Sequence, residues 1–336
     1  MTMALSESEL SESERSDTER SEAGLLVTGD GSGARADRLF RQTALCAGAM
    51  ILVVLGLIVI ATTRDAWPAF ADLGPDYFFG TIWSPADGKF GIVPLVYGTV
   101  VVSLIAVAFS VPVSVGIALF ITEVATKRVR GVVTMTVDLL AAVPSVVFGL
   151  WGFYQLIPLF QGVFNSIADL LAPIPVLRSV FGHGSGSGFM SAGIVLALMI
   201  TPIISSVARE VFTTVPHNDR LGALALGATR WEMITGVVLP HASGGLTGAI
   251  LLGLGRAMGE TVAVALLIGA SPQISANLFG RGEAMPSQIF RSLSEATGSF
   301  RAALFGLGVC LFVITVLVNL AARRVVTIAD RKLKGS

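Results

Sequence analysis

The chain has 336 residues, of which 53% are hydrophobic and only 14% are charged, and its mean hydropathy is +0.77. A soluble domain needs more charge to cover its surface, so this composition excludes an ordinary soluble protein and predicts a polytopic membrane protein. The formal net charge is zero, so the overall charge gives no information about nucleic-acid or anionic partners. The two cysteines, Cys46 and Cys310, lie in separate apolar runs without the spacing of a disulfide framework or a metal site.

The first 37 residues differ from the rest of the chain. They are rich in serine and acidic residues and contain no aromatic residue, so they cannot bury enough apolar surface to fold alone. We expect residues 1–37 to form a disordered acidic cytoplasmic tail. They are not a secretory signal, because a basic n-region and a small-residue cleavage site are both missing. Residues 326–336 are predicted to be a second, short cytoplasmic tail.

Six segments reach the length of about 20 residues that a helix needs to cross a bilayer. They lie near residues 43–63, 93–122, 137–161, 189–208, 243–270 and 300–322. The sequence therefore predicts an all-α membrane protein, with a first helix and external loop over 38–92 and a transmembrane domain over 93–325. Pro112 and Pro144 fall inside the second and third segments and predict kinks there.

Lysine and arginine are unevenly placed around these segments. They concentrate in both tails and in alternate loops, for example at Lys127, Arg128 and Arg130. Because cytoplasmic loops carry an excess of these residues, both termini are predicted to be cytoplasmic.

The connection between the fourth and fifth segments, residues 209–242, is too long for a tight turn and is rich in helix formers. We expect two short helices lying along the membrane face, with a break at Gly227 and an end at Pro240. Its many small side chains would let another surface approach closely.

This connection resembles a signature of the membrane subunits of binding-protein-dependent ABC importers, the frame EAA-x3-G-x9-I-x-L-P. Here the frame reads Leu221-Gly222-Ala223, Gly227, Val237 and Leu239-Pro240, so the Ala, Gly and Leu-Pro positions match and Leu-Gly replaces Glu-Ala. In that family the loop is a coupling helix that docks into a groove on the ATPase subunit. The resemblance implies that the following residues couple to an ATPase: Arg220, Leu221, Gly222, Ala223, Gly227, Ala228, Arg230, Leu239 and Pro240.

Four longer stretches resemble the phosphate-specific permeases of the PstC/PstA family. They are AAVPSVVFGLWGF (141–153), TPIISSVAREVFTTVP (201–216), GATRWEMITGVVLP (227–240) and GRAMGETVAV (255–264). The long tail, the large loop after the first segment and VGIALF at 115–120 are closer to PstC. The resemblance covers approximately residues 40–325 and leaves out the tail.

The resemblance implies a type I ABC importer permease fold in the prokaryotic cytoplasmic membrane, forming half of a path for inorganic phosphate. It also implies three partners: a second, PstA-like permease, a homodimeric PstB-like ATPase and an extracytoplasmic PstS-like phosphate-binding protein. The sequence contains no Walker A motif, so this chain is predicted not to be an enzyme. We expect ATP and Mg to be bound by the ATPase, and no cofactor to be bound by this chain.

Arg256 and Glu260 lie in the otherwise apolar stretch GLGRAMGETVAVALLIGA (253–270). An ionisable residue at mid-membrane costs at least about 2.5–3.5 kcal/mol on insertion scales, so it is normally functional or paired. A guanidinium matches phosphate oxygens bidentately, and a carboxylate can accept a hydrogen bond from the phosphate hydroxyl that sulfate lacks. We expect Arg256 and Glu260, together with the hydroxyl of Thr261, to line the substrate path. Alternatively, the two charges, one helical turn apart, only neutralise each other and hold the helix in the bundle.

Other functions are less consistent with the sequence. The motif GRAMGET resembles the phosphate-specific permeases, which argues against a permease for another oxyanion such as molybdate, sulfate or phosphonate. A secondary transporter or channel would not need the patterned docking loop, and no inverted repeat is visible. An intramembrane enzyme would need a catalytic constellation such as HExxH, which the predicted spans do not contain.

Overall fold

The computed structural model of the protein describes the backbone of residues 31–334 and the side chains of residues 36–324. The predicted disordered tail lies outside the described residues as far as residue 30, and residues 31–37 belong to a helix. Residues 326–334, predicted as the second tail, are also helical. The chain divides into two units, Met1–Ala61 and Thr62–Ser336, and the described part of the first is one helical segment.

Helices account for most of the described chain. They are α1 (Gly31–Leu73), α2 (Pro75–Phe79), α3 (Val93–Leu119), α4 (Lys127–Ala141), α5 (Ser145–Trp151), α6 (Ile157–Leu171), α7 (Pro175–Val180), α8 (Phe189–Thr213), α9 (His217–Ala225), α10 (Arg230–Met233), α11 (Leu239–Gly259), α12 (Val262–Leu267), α13 (Met285–Ser292) and α14 (Gly298–Lys334). One small hairpin departs from the all-α prediction: β1 (Trp83–Ser84) and β2 (Lys89–Phe90) pair antiparallel, with Trp83 opposite Phe90.

Six helical stretches are long and apolar enough to cross a membrane, as the sequence predicts. They are Ala36–Leu73, Val93–Val124, Ser145–Leu171, Phe189–Thr213, Arg230–Gly259 and Gly298–Arg324. Three of them continue through five-residue π-helical turns, which follow α3, α5 and α10. The predicted number of spans is therefore confirmed. The predicted third and fifth segments, however, differ from the helices observed.

The third span begins later than predicted. The expected segment over 137–161 runs from the end of α4 through α5 into α6, but the helix stops at Ala141 and Pro144 precedes α5 with an extended backbone. Proline lacks an N–H and pushes the preceding residue out of the helical region, so the chain breaks here instead of kinking. α4 is a separate helix with Lys127, Arg128 and Arg130 at its start.

The main apolar core lies where α3, α8, α11 and α12 pack together. Glycines allow these helices to pack closely. A Cβ at Gly193 would lie 2.4 Å from Ile105 Cγ2, and a Cβ at Gly253 would lie 2.5 Å from Ile204 Cδ1. No larger residue fits at either position without displacing its neighbour, which is how small residues bring membrane helices together.

A second apolar cluster joins α2 and the hairpin to the first half of α14. The Tyr77 hydroxyl donates a hydrogen bond to the Ala303 carbonyl (2.7 Å), and burial raises the pKa of Tyr77, so the phenol stays neutral. The Phe90 and Phe300 rings stack with centroids 5.8 Å apart. These contacts hold the loop that precedes α3 against α14.

Candidate functional site

The fifth span is interrupted at Glu260. α11 ends at Gly259, Glu260 has an extended backbone (φ −69°, ψ 127°), and α12 begins at Val262. The Glu260 carboxylate accepts a hydrogen bond from the Ala263 N–H (3.4 Å), which satisfies one of the free amides at the start of α12. The predicted continuous helix over 243–270 is therefore wrong. Gly259, at the end of α11, is a poor helix former, and the Glu260 side chain caps α12 instead of continuing α11.

Arg256 lies on the last turn of α11, and its side chain is exposed. Within the described residues it has neither a hydrogen-bond nor an ion-pair partner. Glu260, by contrast, is only 8% exposed and is bonded to the backbone of α12. The structure contains no Arg256–Glu260 ion pair, so it gives no support to the interpretation in which the two charges only neutralise each other.

Two uncharged polar groups lie close to this break. The Thr261 hydroxyl donates to the Gly259 carbonyl (3.2 Å) across the interruption. Asn319, on α14, approaches the residue before Arg256: a Cβ at Gly255 would lie 3.6 Å from its Nδ2. The Asn319 Oδ1 is buried without a hydrogen-bond partner, which is unusual enough to need an explanation. Asn319 was not predicted from the sequence, although it is a lone amide inside the apolar sixth segment.

The loop after α8 contains the two expected short helices, α9 and α10. Gly227 separates them with φ +91°, a left-handed conformation that favours glycine. Thr229 caps α10: its hydroxyl accepts from the Glu232 N–H (3.3 Å), and the Glu232 carboxylate accepts from the Thr229 N–H (2.7 Å). Pro240 was expected to end this stretch but lies in the first turn of α11, because the π-helical turn Ile234–Val238 continues α10 directly into α11.

One face of this loop is open. Leu226 is 91% exposed and Trp231 68% exposed, Leu221 is also exposed, and a Cβ at Gly222 would meet no atom within 4 Å. Arg230 is exposed as well. Large apolar side chains on a free surface typically mark an interaction site. We call the exposed side chains of α9 and α10, from Leu221 to Trp231, the open loop face.

The opposite face of the loop rests on an apolar cluster of its own. Ala223 and Leu239 pack there against buried residues from the ends of α3 and α8, such as Ala118 and Phe212. Ala228 is half-buried. Movement of α9 would therefore be transmitted to two membrane spans through close packing, since packed interiors deform little.

Arg220 points into the protein. Its Nη2 lies 3.3 Å from Oε1 of Glu123, in the π-helical turn after α3, and the two side chains are 17% and 7% exposed. The same nitrogen donates to the Phe212 carbonyl near the end of α8. Arg220 thus joins α9 to two spans by polar contacts. Glu123 was not predicted as a partner, because it is far from Arg220 in the chain.

A second ion pair joins α13 to the loop that precedes it. Glu283 is 2% exposed, and Arg291 Nη2 lies 3.0 Å from each of its carboxylate oxygens. Ser287 also donates to Glu283, and the Met285 N–H donates to the Thr99 hydroxyl of α3 (2.9 Å). This network holds the start of α13 against α3. Over the described residues, no group of three His, Cys, Asp or Glu side chains could hold a metal ion.

Solved structures identify the fold. The chain superposes on an inward-facing MetNI methionine ABC transporter with a TM-score of 0.52 and 17% identity, over 70% of this chain and 95% of that one. For a bacterial alginate ABC transporter in complex with an alginate pentasaccharide-bound periplasmic protein, the TM-score is 0.53 at 19% identity, over 86% and 97%. The fold is that of an ABC importer permease.

Sequence relatives define the family. Residues 111–335 match the binding-protein-dependent transport system inner membrane component. The phosphate transport system permease protein PstC of Xylella fastidiosa (strain 9a5c) is 40% identical over 301 residues, covering 89% of this chain and 93% of that protein. Mycobacterium tuberculosis PstC 2 (strain ATCC 25618 / H37Rv) is 38% identical over 312 residues, covering 90% and 94%. The chain belongs to the PstC family, which confirms the resemblance seen in the sequence.

Proposed function

We propose that this chain is a membrane permease subunit of an ATP-driven importer for inorganic phosphate, and that it forms half of the translocation path. Its relatives are phosphate transport system permease proteins. The observation that carries the proposal within this chain is the exposed Arg256 guanidinium, which lies at the end of α11 without a partner in the described residues. An arginine in a membrane span needs water or an anion, and phosphate supplies the anion.

The proposed chemistry divides between three side chains. Arg256 donates to two phosphate oxygens in the bidentate geometry that a guanidinium favours. Glu260 uses one oxygen for the Ala263 N–H and retains lone pairs that can accept from a phosphate hydroxyl. Sulfate has no such hydroxyl at neutral pH, so the buried carboxylate repels it. Thr261, at the break, adds a hydroxyl. These contacts are few and therefore weak, which suits a path that must release its ligand.

The open loop face is proposed to dock on the ATPase. Its exposed leucines and tryptophan would insert into a groove on that partner, and Gly222 and Gly227 would let the two backbones approach. Arg220 would act from inside, by holding α9 against α3 and α8. ATP and Mg are proposed to be bound by the ATPase, with no cofactor on this chain.

The rest of the assembly follows from the same proposal. A second, PstA-like permease completes the path, a homodimeric PstB-like ATPase drives it, and a PstS-like binding protein delivers phosphate from outside. Both termini and the open loop face then lie in the cytoplasm of a prokaryotic cell, as the distribution of lysine and arginine also predicts.

Phosphate uptake by the assembled complex tests the proposal. Arg256→Gln removes the charge while keeping hydrogen-bonding groups, and we expect it to abolish uptake. Arg256→Lys keeps the charge but loses the planar fork, and we expect partial activity. Arg128→Gln, an exposed arginine on α4, is the matched control and should transport normally. In the parent complex, phosphate-loaded binding protein should stimulate ATP hydrolysis, and sulfate or molybdate should not. Normal uptake by an assembled Arg256→Gln complex would contradict the assignment of Arg256 to the path.

A further inference from the structure

Another cluster of positive charge lies well away from the break in the fifth span, on the side of the protein that carries α9. A cavity of about 320 Å³ opens between the π-helical turn after α3, α4, the end of α8 and α9. Three arginines and three threonines from these four elements line it: Arg130, Arg209, Arg220, Thr122, Thr134 and Thr213. At about 30 Å³ for each water molecule, a group of five heavy atoms fits with its hydration water.

The arginines are not fully neutralised by carboxylates. Arg220 is paired with the buried Glu123. Arg209 lies 3.7 Å from Glu210, whose side chain is 74% exposed, so that pairing is weak. Arg130 donates to the backbone carbonyl of Thr122 (3.1 Å) and has no carboxylate partner within the described chain. Three guanidinium groups therefore line the cavity, and the buried carboxylate of Glu123 offsets only that of Arg220, which leaves an excess of positive charge.

Hydrogen-bonding groups at the cavity are also left unused. The Arg220 Nε is buried without a hydrogen-bond partner. The Thr134 hydroxyl makes no hydrogen bond to the part of the chain that the structure describes. The hydroxyls of Thr122 and Thr213 donate to backbone carbonyls of their own helices but keep free lone pairs. Guanidinium donors next to hydroxyl acceptors match a ligand that has several anionic oxygens and a hydroxyl.

We propose that this cavity is a phosphate-group binding site, separate from the path at Arg256. The bound group takes hydrogen bonds from the guanidinium groups of Arg130 and Arg209 and from the free hydroxyl of Thr134, and Arg220 also lines the site. Because these residues lie on α4, α8 and α9, an occupied site ties α9 to both neighbouring elements. The group can come from free inorganic phosphate or from the headgroup of an anionic phospholipid. The inference goes beyond the proposed transport function and would hold for a complex that carries another anion.

Thermal unfolding of the purified complex in detergent tests the site. The parent for this experiment carries Arg256→Gln, so that binding in the path does not contribute. Inorganic phosphate should raise the midpoint of unfolding, whereas chloride at equal ionic strength should not. Arg209→Gln should weaken the apparent phosphate affinity by about tenfold or more, because it removes charge-assisted hydrogen bonds. Arg128→Gln, on α4 but outside the cavity, is the matched control and should leave the affinity unchanged.

Nanodiscs distinguish the two sources of the group. If free phosphate has no effect, phosphatidylglycerol should stabilise the complex more than phosphatidylcholine does, and Arg209→Gln should remove the difference. If neither phosphate nor phosphatidylglycerol stabilises the complex, or if Arg209→Gln and Arg128→Gln behave alike, the proposal is wrong. Should Arg209→Gln fail to assemble, Thr134→Val replaces it. That substitution keeps the shape of the side chain and removes the free hydroxyl, so an unchanged affinity would also overturn the proposal.

Discussion

The Glu123→Gln substitution removes the carboxylate that is paired with Arg220 beneath α9. The two charged atoms are 3.3 Å apart, and both side chains are largely buried. At that distance the Coulomb attraction is about 5 kcal/mol with an effective dielectric constant of about 20. Most of this is offset by the desolvation of both ions. Removing one partner nevertheless leaves Arg220 partly buried and unpaired, so we expect the free energy of unfolding to fall by about 2–4 kcal/mol.

A double-mutant cycle isolates the contribution of the pair. Glu123→Gln, Arg220→Met and the double variant would be compared by the free energy of unfolding in a denaturing-detergent titration of the assembled complex. Arg220→Met should destabilise by a similar amount, because it strands Glu123. The double variant should lose less than the sum of the two, with a coupling energy of about 1–3 kcal/mol. Glu210→Gln, which changes an exposed carboxylate, is the control and should have little effect.

The same variants also test the coupling role of the pair. In reconstituted vesicles, we expect Glu123→Gln and Arg220→Met to lower the number of phosphate ions moved per ATP hydrolysed, while hydrolysis continues. The physical reason is that α9 would no longer be held to the ends of α3 and α8 by polar contacts. Additive destabilisation within about 0.5 kcal/mol, together with an unchanged transport ratio, would refute the reasoning.

Two further predictions concern other contacts. Gly227→Ala should destabilise the loop by about 1 kcal/mol, because φ is +91°, whereas Gly222→Ala should stabilise α9 by up to about 1 kcal/mol, because its Cβ meets open space. Hydrogen–deuterium exchange over α9 and α10 should therefore become faster in the first variant and slower in the second; equal changes would contradict the backbone argument. Glu283→Gln should lower the free energy of unfolding by about 1–3 kcal/mol, because Arg291 loses its buried partner but remains partly exposed to solvent. A double variant that adds Arg291→Met and is no less stable than Glu283→Gln alone would support the pairing. An unchanged midpoint of unfolding in Glu283→Gln would exclude it.

Hydropathy was sufficient to find the six spans but not the places where the backbone breaks. The third and fifth predicted segments were both wrong in this respect, at Pro144 and at Glu260. The mean hydropathy of a sequence window indicates how well that stretch tolerates a lipid environment. It does not report whether a proline ends a helix or kinks it, nor whether a side chain caps a new helix. Those outcomes depend on which backbone groups find partners in the folded chain.

The chemically important residues were only partly visible in advance. Arg256 and Glu260 could be singled out because ionisable residues are rare inside apolar runs. Their separation into an exposed guanidinium and a buried carboxylate could not be anticipated, since it follows from the break between them. The inward direction of Arg220 was also unpredictable, because its partner Glu123 comes from a distant segment of the chain.

The sequence by itself determined the class of the protein, the number of spans, the family and the existence of a patterned loop after the fourth span. These are properties of composition and local motif, and they need no knowledge of neighbours. Only the tertiary structure decided which charges are paired, which face of the loop is open and where three arginines meet around one cavity. Pairing and exposure depend on contacts between residues far apart in the chain, and those contacts exist only after the helices have packed.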